Sequence, residues 1–253
     1  PQLGRYSIST VRKHMGHASS LFNWAVQNES MPCVTVSPLR KVRRPKEPDA
    51  PPKGTDRTTI NRLISAIESA AYANTPVADR PLVIARNIAI VHTLRSTAAR
   101  IAGVYRLSVD DLILMDRQYE ALFTEKGRHG GQRVWRFWDS DATQALEKWL
   151  ALHPVRARRE KGPMPLFVSL RGDTFGNRLS MHGIRTVLDL AKTRSGVVRP
   201  TNPHSFRHHR ITEWDATLGT GVAQQLAGHK DIRTTARYAR HNRSRLRKLS
   251  RNM

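Results

Sequence analysis

Apolar residues recur at helical spacing near the start of the chain. Val11, Met15, Ala18, Phe22 and Ala25 fall on one face, and Leu21 and Val26 widen the stripe. The spacing predicts a helix over 7–28, with Ser9 able to cap it. Ile60, Leu63, Ile64 and Ile67 mark a second helix beginning near Thr58. Residues 80–95 carry Leu82, Val83, Ile84, Ile88, Ile90, Val91 and Leu94, the pattern of a mostly buried helix. The period then changes. Residues 112–115, 119–124 and 133–138 read as three short strands, with Gly127, Gly130 and Gly131 in the turn between the last two. Ser140 opens a helix through Ala145, Leu146, Trp149 and Leu150. Residues 166–170 are a short apolar piece, and Arg171-Gly172-Asp173 is a turn. Helices are expected at about 180–193, 205–217, 220–228 and 232–240, with a final basic helix over 243–250. The fold class is mainly α with a small antiparallel β-sheet (α+β).

Proline divides this pattern. Pro32, Pro38, Pro45, Pro48, Pro51 and Pro52 follow the first helix, interleaved with Arg40, Lys41, Arg43, Arg44 and Lys46. Proline removes a backbone donor and fixes φ, so 37–55 reads as an extended basic linker. It separates a short helical segment, 1–36, from a larger domain, 56–253. The five cations meet no acid until Glu47, which favours contact with a nucleic-acid backbone over a merely solvated stretch.

Charge narrows the class. Of the 253 residues, 43 are Lys or Arg and 20 are Asp or Glu, a formal net charge of +23. Such a surplus repels itself unless a polyanion is the usual partner. Nucleic acid is the best fit, through counterion release at phosphates. No apolar run approaches the ~18–20 residues of a membrane span. Nor does the chain show a basic amphipathic helix with exposed aromatics suited to a membrane surface. The first residues lack a signal-peptide h-region. One cysteine, Cys33, excludes an internal disulfide framework and any multi-cysteine zinc site, and points to a reducing compartment. The expected location is the cytoplasm, on DNA.

Four segments hold candidate chemistry: Ser96-Thr97-Ala98-Ala99-Arg100-Ile101-Ala102-Gly103, the stretch from Thr124 to Gly131, His204-Ser205-Phe206-Arg207-His208, and Leu226-Ala227-Gly228-His229. Tyr238 follows nine residues after His229. His204 and Arg207 are three apart, so they share a face if a helix begins at or before them. An arginine there can fork onto two phosphate oxygens, and a neighbouring histidine can move a proton near neutral pH. A solvated basic helix start is the plainer reading of that pair taken alone. Tyr238 stands out from the other tyrosines by its company. After residue 190 there are 14 Lys or Arg and only three acids, Glu213, Asp215 and Asp231. A phenol in that field would gain the phenolate character needed for attack on a phosphodiester.

In order and spacing these segments resemble the tyrosine recombinases, or phage-type integrases. That family's signature is an arginine in a T-G-L-R-type turn, a lysine in a β-hairpin, H-x-x-R, then L-G-H and a tyrosine nine residues on. The matching residues are Arg100, Lys126, His204 with Arg207, His229 and Tyr238. Leu107-Ser108-Val109-Asp110-Asp111 and Pro165-Leu166-Phe167-Val168-Ser169 also resemble family segments. The resemblance spans about 56–241, and 1–36 resembles the last part of the family's helical core-binding domain.

The resemblance implies that Arg100 and Arg207 hold the non-bridging phosphate oxygens and that His229 adds a hydrogen bond. Tyr238 attacks to form a 3′-phosphotyrosyl link, Lys126 protonates the leaving 5′-oxygen, and His204 orients groups or accepts the tyrosine proton. The ester conserves the bond energy, so neither ATP nor a metal is required, consistent with the lack of Walker and H-E-x-x-H motifs. Implied partners are double-stranded DNA, a homotetramer on paired sites and accessory DNA-bending proteins. The implied role is integration, excision or transposition of mobile DNA. Two departures stand out. Gly103 occupies a position where the family commonly has a carboxylate, and the stretch around Lys126 carries His129 and a double glycine. Type IB topoisomerases and telomere resolvases use a similar constellation. A DNA-binding protein of the same fold without catalysis is the alternative from another class. The tail after Tyr238 either adds phosphate contacts or packs on a neighbouring subunit through Leu246 and Leu249.

Overall fold

Ser7 opens the first helix, α1 (Ile8–Gln27), because its extended backbone lets Oγ accept the Thr10 amide at 3.2 Å. Ser9, the cap expected from sequence, lies inside the first turn. The computed structural model describes residues 6–46, 54–70, 75–125, 132–154 and 162–229. It divides into two compact units, Pro1–Pro51 and Pro52–Met253. In the first, Ala25 is the buried residue of α1, whereas Leu21 and Trp24 are more than half exposed. The segment after α1 is turned, not extended. Arg40 N–H donates to Ser37 O and Val42 N–H to Leu39 O. Arg12 Nη1 ties Pro45 O back to the helix at 2.7 Å. This corrects the extended reading for residues 37–42; the prolines act here as turn formers. Arg40, Lys41, Arg43, Arg44 and Lys46 are all exposed. Residues 47–53 lie outside the described residues.

The second unit is built around one helix. Asp56 caps α2 (Arg57–Glu68) by accepting the Thr59 amide at 2.7 Å, and Ile60, Leu63 and Ile67 are buried. Helix α3 (Arg80–Thr97) buries Ile90, Val91 and Leu94 completely. It packs against α2, against α5 (Ser140–Leu152) and against α7 (Pro203–Leu218). Helix α6 (Met181–Ser195) lies along α2. Two tryptophans bury their rings and still satisfy their N–H groups. Trp138 donates to Thr93 Oγ1 at 3.0 Å and Trp149 to Leu166 O at 2.7 Å. The apolar 166–168 piece is core, joined to Arg178 by an isolated bridge at Val168.

A three-stranded antiparallel sheet, β1 (Ile113–Met115), β2 (Gln118–Glu125) and β3 (Gln132–Phe137), covers one end of the core. Its register pairs Glu120 with Phe137 and Phe123 with Val134. Side chains alternate cleanly. Ala121, Phe123, Val134 and Arg136 are buried, whereas Trp135 and Phe137 are 44% and 45% exposed. A short helix not anticipated from sequence, α4 (Ile101–Arg106), lies between α3 and the sheet. Its six residues include Gly103, and a helix that short has almost no periodicity to detect. The helices expected at 232–240 and 243–250 lie outside the described residues.

A charged chain fastens α7 to α3 and to the start of α5. Arg95 reaches Asp139 at 2.7 Å, Arg210 reaches the same carboxylate at 3.4 Å, and Arg210 also pairs with Glu213 at 2.6 Å. Asp139, one residue before the expected cap Ser140, also accepts the Ala142 amide. Burial alone would raise the Asp139 pKa. The Arg95 hydrogen bond and charge, with Ala142 and Arg210, hold it below the usual value instead. Asp56 is held down in the same manner, by Thr59, Arg199 and His209 against its burial. His92 and His209 are pushed below the usual imidazole value, chiefly by burial. All four shifts act in one direction. A depressed folded pKa means the unfolded chain binds more protons, so stability rises with pH and is lost as pH falls. Loss is expected to begin below about pH 6.5 through the histidines and to steepen below about pH 4 through the carboxylates. Denaturant midpoints across pH 3.5–8 check this; a flat profile would contradict it.

Candidate active site

Asn202 and Pro203 set the start of α7. Asn202 Oδ1 accepts the Ser205 amide at 3.0 Å, and proline fits the first helical position, where no N–H is needed. His204 therefore sits in the first turn and Arg207 one turn later on the same face, the condition under which the pair can act together. His204 is at the surface. Its pKa is lowered, first by desolvation and then by the charges of Arg207 and Arg100, which favours the neutral imidazole. That places His204, Arg207 and Arg100 in one electrostatic neighbourhood.

Arg207 is 2% exposed. A buried guanidinium needs compensation, and helix ends supply it. Nη1 donates to Ala98 O at 2.6 Å, at the end of α3. Nη2 donates to Ala227 O at 2.7 Å, at the end of α8 (Thr220–Ala227). The last carbonyls of a helix carry its negative dipole end, so two helices converge on one cation. Nη2 also lies 3.1 Å from His229 Nε2. Arginine can only donate, so Nε2 accepts and the His229 proton sits on Nδ1.

Arg100 is reached through a tight reversal. Helix α3 ends at Ala98 with φ 50°, and Arg100 then occupies the N-terminal cap of α4. Thr97 Oγ1 supports the turn by accepting the Ala99 amide at 3.2 Å. The Arg100 backbone carbonyl accepts the Gly103 amide at 2.8 Å, and its side chain is exposed. Gly103 is buried.

His229 is placed by its neighbour. Gly228 caps α8 at φ 62°, and the His229 amide returns to Gln224 O at 3.1 Å. Gln224 Nε2 in turn holds His229 O at 3.0 Å. A Cβ on Gly228 would stand 2.7 Å and 2.9 Å from the two methyls of Val134 on β3. Rotating a valine cannot clear both. Gly228→Ala is expected to cost roughly 2–4 kcal/mol, combining left-handed strain with overpacking. Chemical denaturation checks this; a change within ~0.5 kcal/mol would show that β3 yields.

One residue in this region was not anticipated. Arg136 on β3 is 1% exposed and donates through Nη1 to Leu226 O and through Nη2 to Ala227 O at 3.2 Å. A basic residue in a strand reads as an outward side chain, so only period-2 alternation with Val134 hinted at its inward aim. The structure thus assembles Arg100, His204, Arg207 and His229. Lys126, immediately after β2, and Tyr238 lie outside the described residues. Arg40, Lys41, Arg43, Arg44 and Lys46 belong to the other unit. Among the described residues, no group of three His, Cys, Asp or Glu is placed to hold a metal ion, and no helix is long and apolar enough to cross a membrane.

The Phage integrase family matches residues 55–245, which contain all of these site residues except the basic ones of the first unit. The chain belongs to that family. Among its relatives, tyrosine recombinase XerD of Mycobacterium tuberculosis is 32% identical over 201 residues, covering 79% of this chain and 60% of the relative. XerD of Listeria monocytogenes is 26% identical over 243 residues, covering 95% of this chain and 74% of the relative. The chain thus spans under two thirds of the length of the mycobacterial relative. Among solved structures, XerA recombinase superposes with a TM-score of 0.61 at 25% identity over 83% of this chain and 66% of that one. XerH site-specific recombinase, in a post-cleavage complex with palindromic difH substrate, superposes with a TM-score of 0.76. It is 17% identical over 98% of this chain and 68% of that one, a likeness of fold.

Proposed function

We propose that this chain is the catalytic part of a site-specific DNA recombinase that cuts and rejoins strands through Tyr238. The observation that carries the reading is the Arg207–His229 contact, with His204 and Arg100 beside it. These are the phosphate-handling positions of the family's motifs, drawn together from three separate stretches of chain. A phosphodiester resists attack until its anionic oxygens are neutralised, and catalysis is then mainly positioning and electrostatics. Arg100, exposed, receives the phosphate, and the buried Arg207 supplies fixed positive charge. His229 offers its Nδ1 hydrogen. His204, kept neutral by desolvation and its cationic neighbours, accepts the Tyr238 proton. The tyrosine oxygen bonds to phosphorus as the bond to the 5′-oxygen breaks, and Lys126 protonates that oxygen. A 5′-hydroxyl from a second strand reverses these steps and restores the diester. Neither a metal nor a nucleotide cofactor enters the balance.

Double-stranded DNA is the substrate. Paired sites on a homotetramer, with accessory DNA-bending proteins, fit an exchange between two duplexes. The exposed cations at 40–46 bind its backbone, and the working location is DNA in the cytoplasm. The family resemblance supports a role in integration, excision or transposition of mobile DNA. The Xer relatives are compatible with chromosomal sites as well.

The test is covalent trapping. The protein is incubated in EDTA with nicked duplexes from its own genomic surroundings, so that a short 5′-hydroxyl fragment diffuses away. An SDS-resistant adduct mapped to Tyr238 by mass spectrometry is the expected result. Tight DNA binding by the full-length protein with no adduct would overturn the catalytic reading in favour of a binding protein of the same fold.

A further inference from the structure

We infer that Arg136 is a positioning residue for His229, and that through it strand β3 sets the geometry of the active site. The inference rests on the strand-transfer reading for its catalytic consequence but on geometry for its content.

Helix α8 ends in a left-handed residue, Gly228, and the backbone that delivers His229 passes through it. On one side Arg207 holds Ala227 O and His229 Nε2. On the other side Arg136 holds Leu226 O and the same Ala227 O. Both guanidiniums are almost fully buried, at 2% and 1% exposure. The negative end of α8, whose last carbonyls they share, offsets part of the cost of bringing two buried cations to one carbonyl. Val134, two residues before Arg136 and on the same strand face, closes over Gly228. Strand β3 therefore grips both residues before the turn through Arg136 and the turn residue itself through Val134. The arrangement has a plain physical use. A planar fork can bond two successive carbonyls at once and so fixes the direction of the helix end. A lysine at the same place reaches one point only. With Leu226 and Ala227 fixed, the His229 ring is delivered to Arg207 in one orientation and one tautomer.

β3 also follows the connection that holds Lys126. The strand thus links, by sequence on one side and by Arg136 on the other, the two ends of the proposed proton and phosphate chemistry.

The experiment compares the wild-type chain with Arg136→Lys and Arg136→Met, the lysine guarding against a methionine variant that does not fold. Thermal melts set the working temperature, and DNA affinity is measured separately. The expected result is an unchanged Kd for DNA and a tenfold or greater fall in Tyr238 adduct rate per folded molecule. Arg136→Lys is expected to be milder than Arg136→Met. Nitrogen NMR of the His229 ring supplies a readout that a general loss of stability would not move. Wild-type Nε2 should show the chemical shift of an unprotonated acceptor nitrogen, with the proton on Nδ1, and both variants should shift toward mixed tautomers. Wild-type ring signals and adduct rates in both variants would overturn the inference. If the wild-type protein forms no adduct, the strand-transfer reading fails, and the ring signals alone still decide whether Arg136 positions His229.

Discussion

Tyr238→Phe is expected to bind DNA with wild-type affinity and to form no covalent adduct, a loss of at least ~10³-fold in cleavage. The reason is chemical, since phenylalanine keeps the ring and lacks the nucleophilic oxygen. Adding the 5′-hydroxyl strand in excess should not rescue it, because no ester exists to be resolved. The measurement is the adduct rate on nicked duplex, with binding followed in parallel by fluorescence anisotropy. A variant that still forms an SDS-resistant species would show that another residue is the nucleophile. The wild-type digest would then have to be searched at Tyr6, Tyr72, Tyr105 and Tyr119.

Arg207→Lys is expected to reduce cleavage by ~10²–10³-fold, the usual scale for removing one fixed stabiliser of transition-state charge. Charge is conserved in this exchange, so a purely Coulombic role would predict a small effect. Geometry predicts a large one. The guanidinium bonds Ala98 O, Ala227 O and His229 Nε2 together, joining the ends of α3 and α8 to α7. A lysine ammonium cannot span both carbonyls, and each buried carbonyl left unsatisfied costs about 1–3 kcal/mol. Stability should therefore fall with activity. Single-turnover cleavage well below the variant's Tm separates the two, because the rate per folded molecule must still drop. An unchanged rate there would leave Arg207 a purely structural residue.

Several parts of this molecule are legible in the sequence. Helices α2 and α5 are, because their apolar residues recur at one spacing, and α3 is, because it carries a long, nearly continuous apolar stretch. The His204 and Arg207 pair is, because the spacing of three needs only a helix start, and Asn202-Pro203 provides one. The true caps, Ser7 and Asp139, lie one or two residues from those the pattern favours. Adjacent polar residues compete for that position, and only the entering backbone angle chooses between them.

The net charge is a different lesson. A surplus of +23 suggests a cationic surface, yet Arg86, Arg136 and Arg207 are all under 9% exposed. Arg207 and Arg136 serve the carbonyls of helix ends, and Arg86 donates to Val168 O at 3.0 Å. Composition counts these arginines with the ones at 40–44 that do face solvent, because charge carries no information about burial.

Composition and motif order were enough to reach the family and the mainly α fold with a small sheet, since those depend on side-chain identity and spacing along the chain. The three-dimensional fold decided the rest. Hydrophobicity alone would have turned Trp135 and Phe137 inward and left Arg136 in water; the sheet does the reverse. The end of α8 offers Arg136 two carbonyls, and only packing brings a strand and a helix terminus some 90 residues apart into contact. The tautomer of His229 was settled in the same way, by the one nitrogen that Arg207 meets.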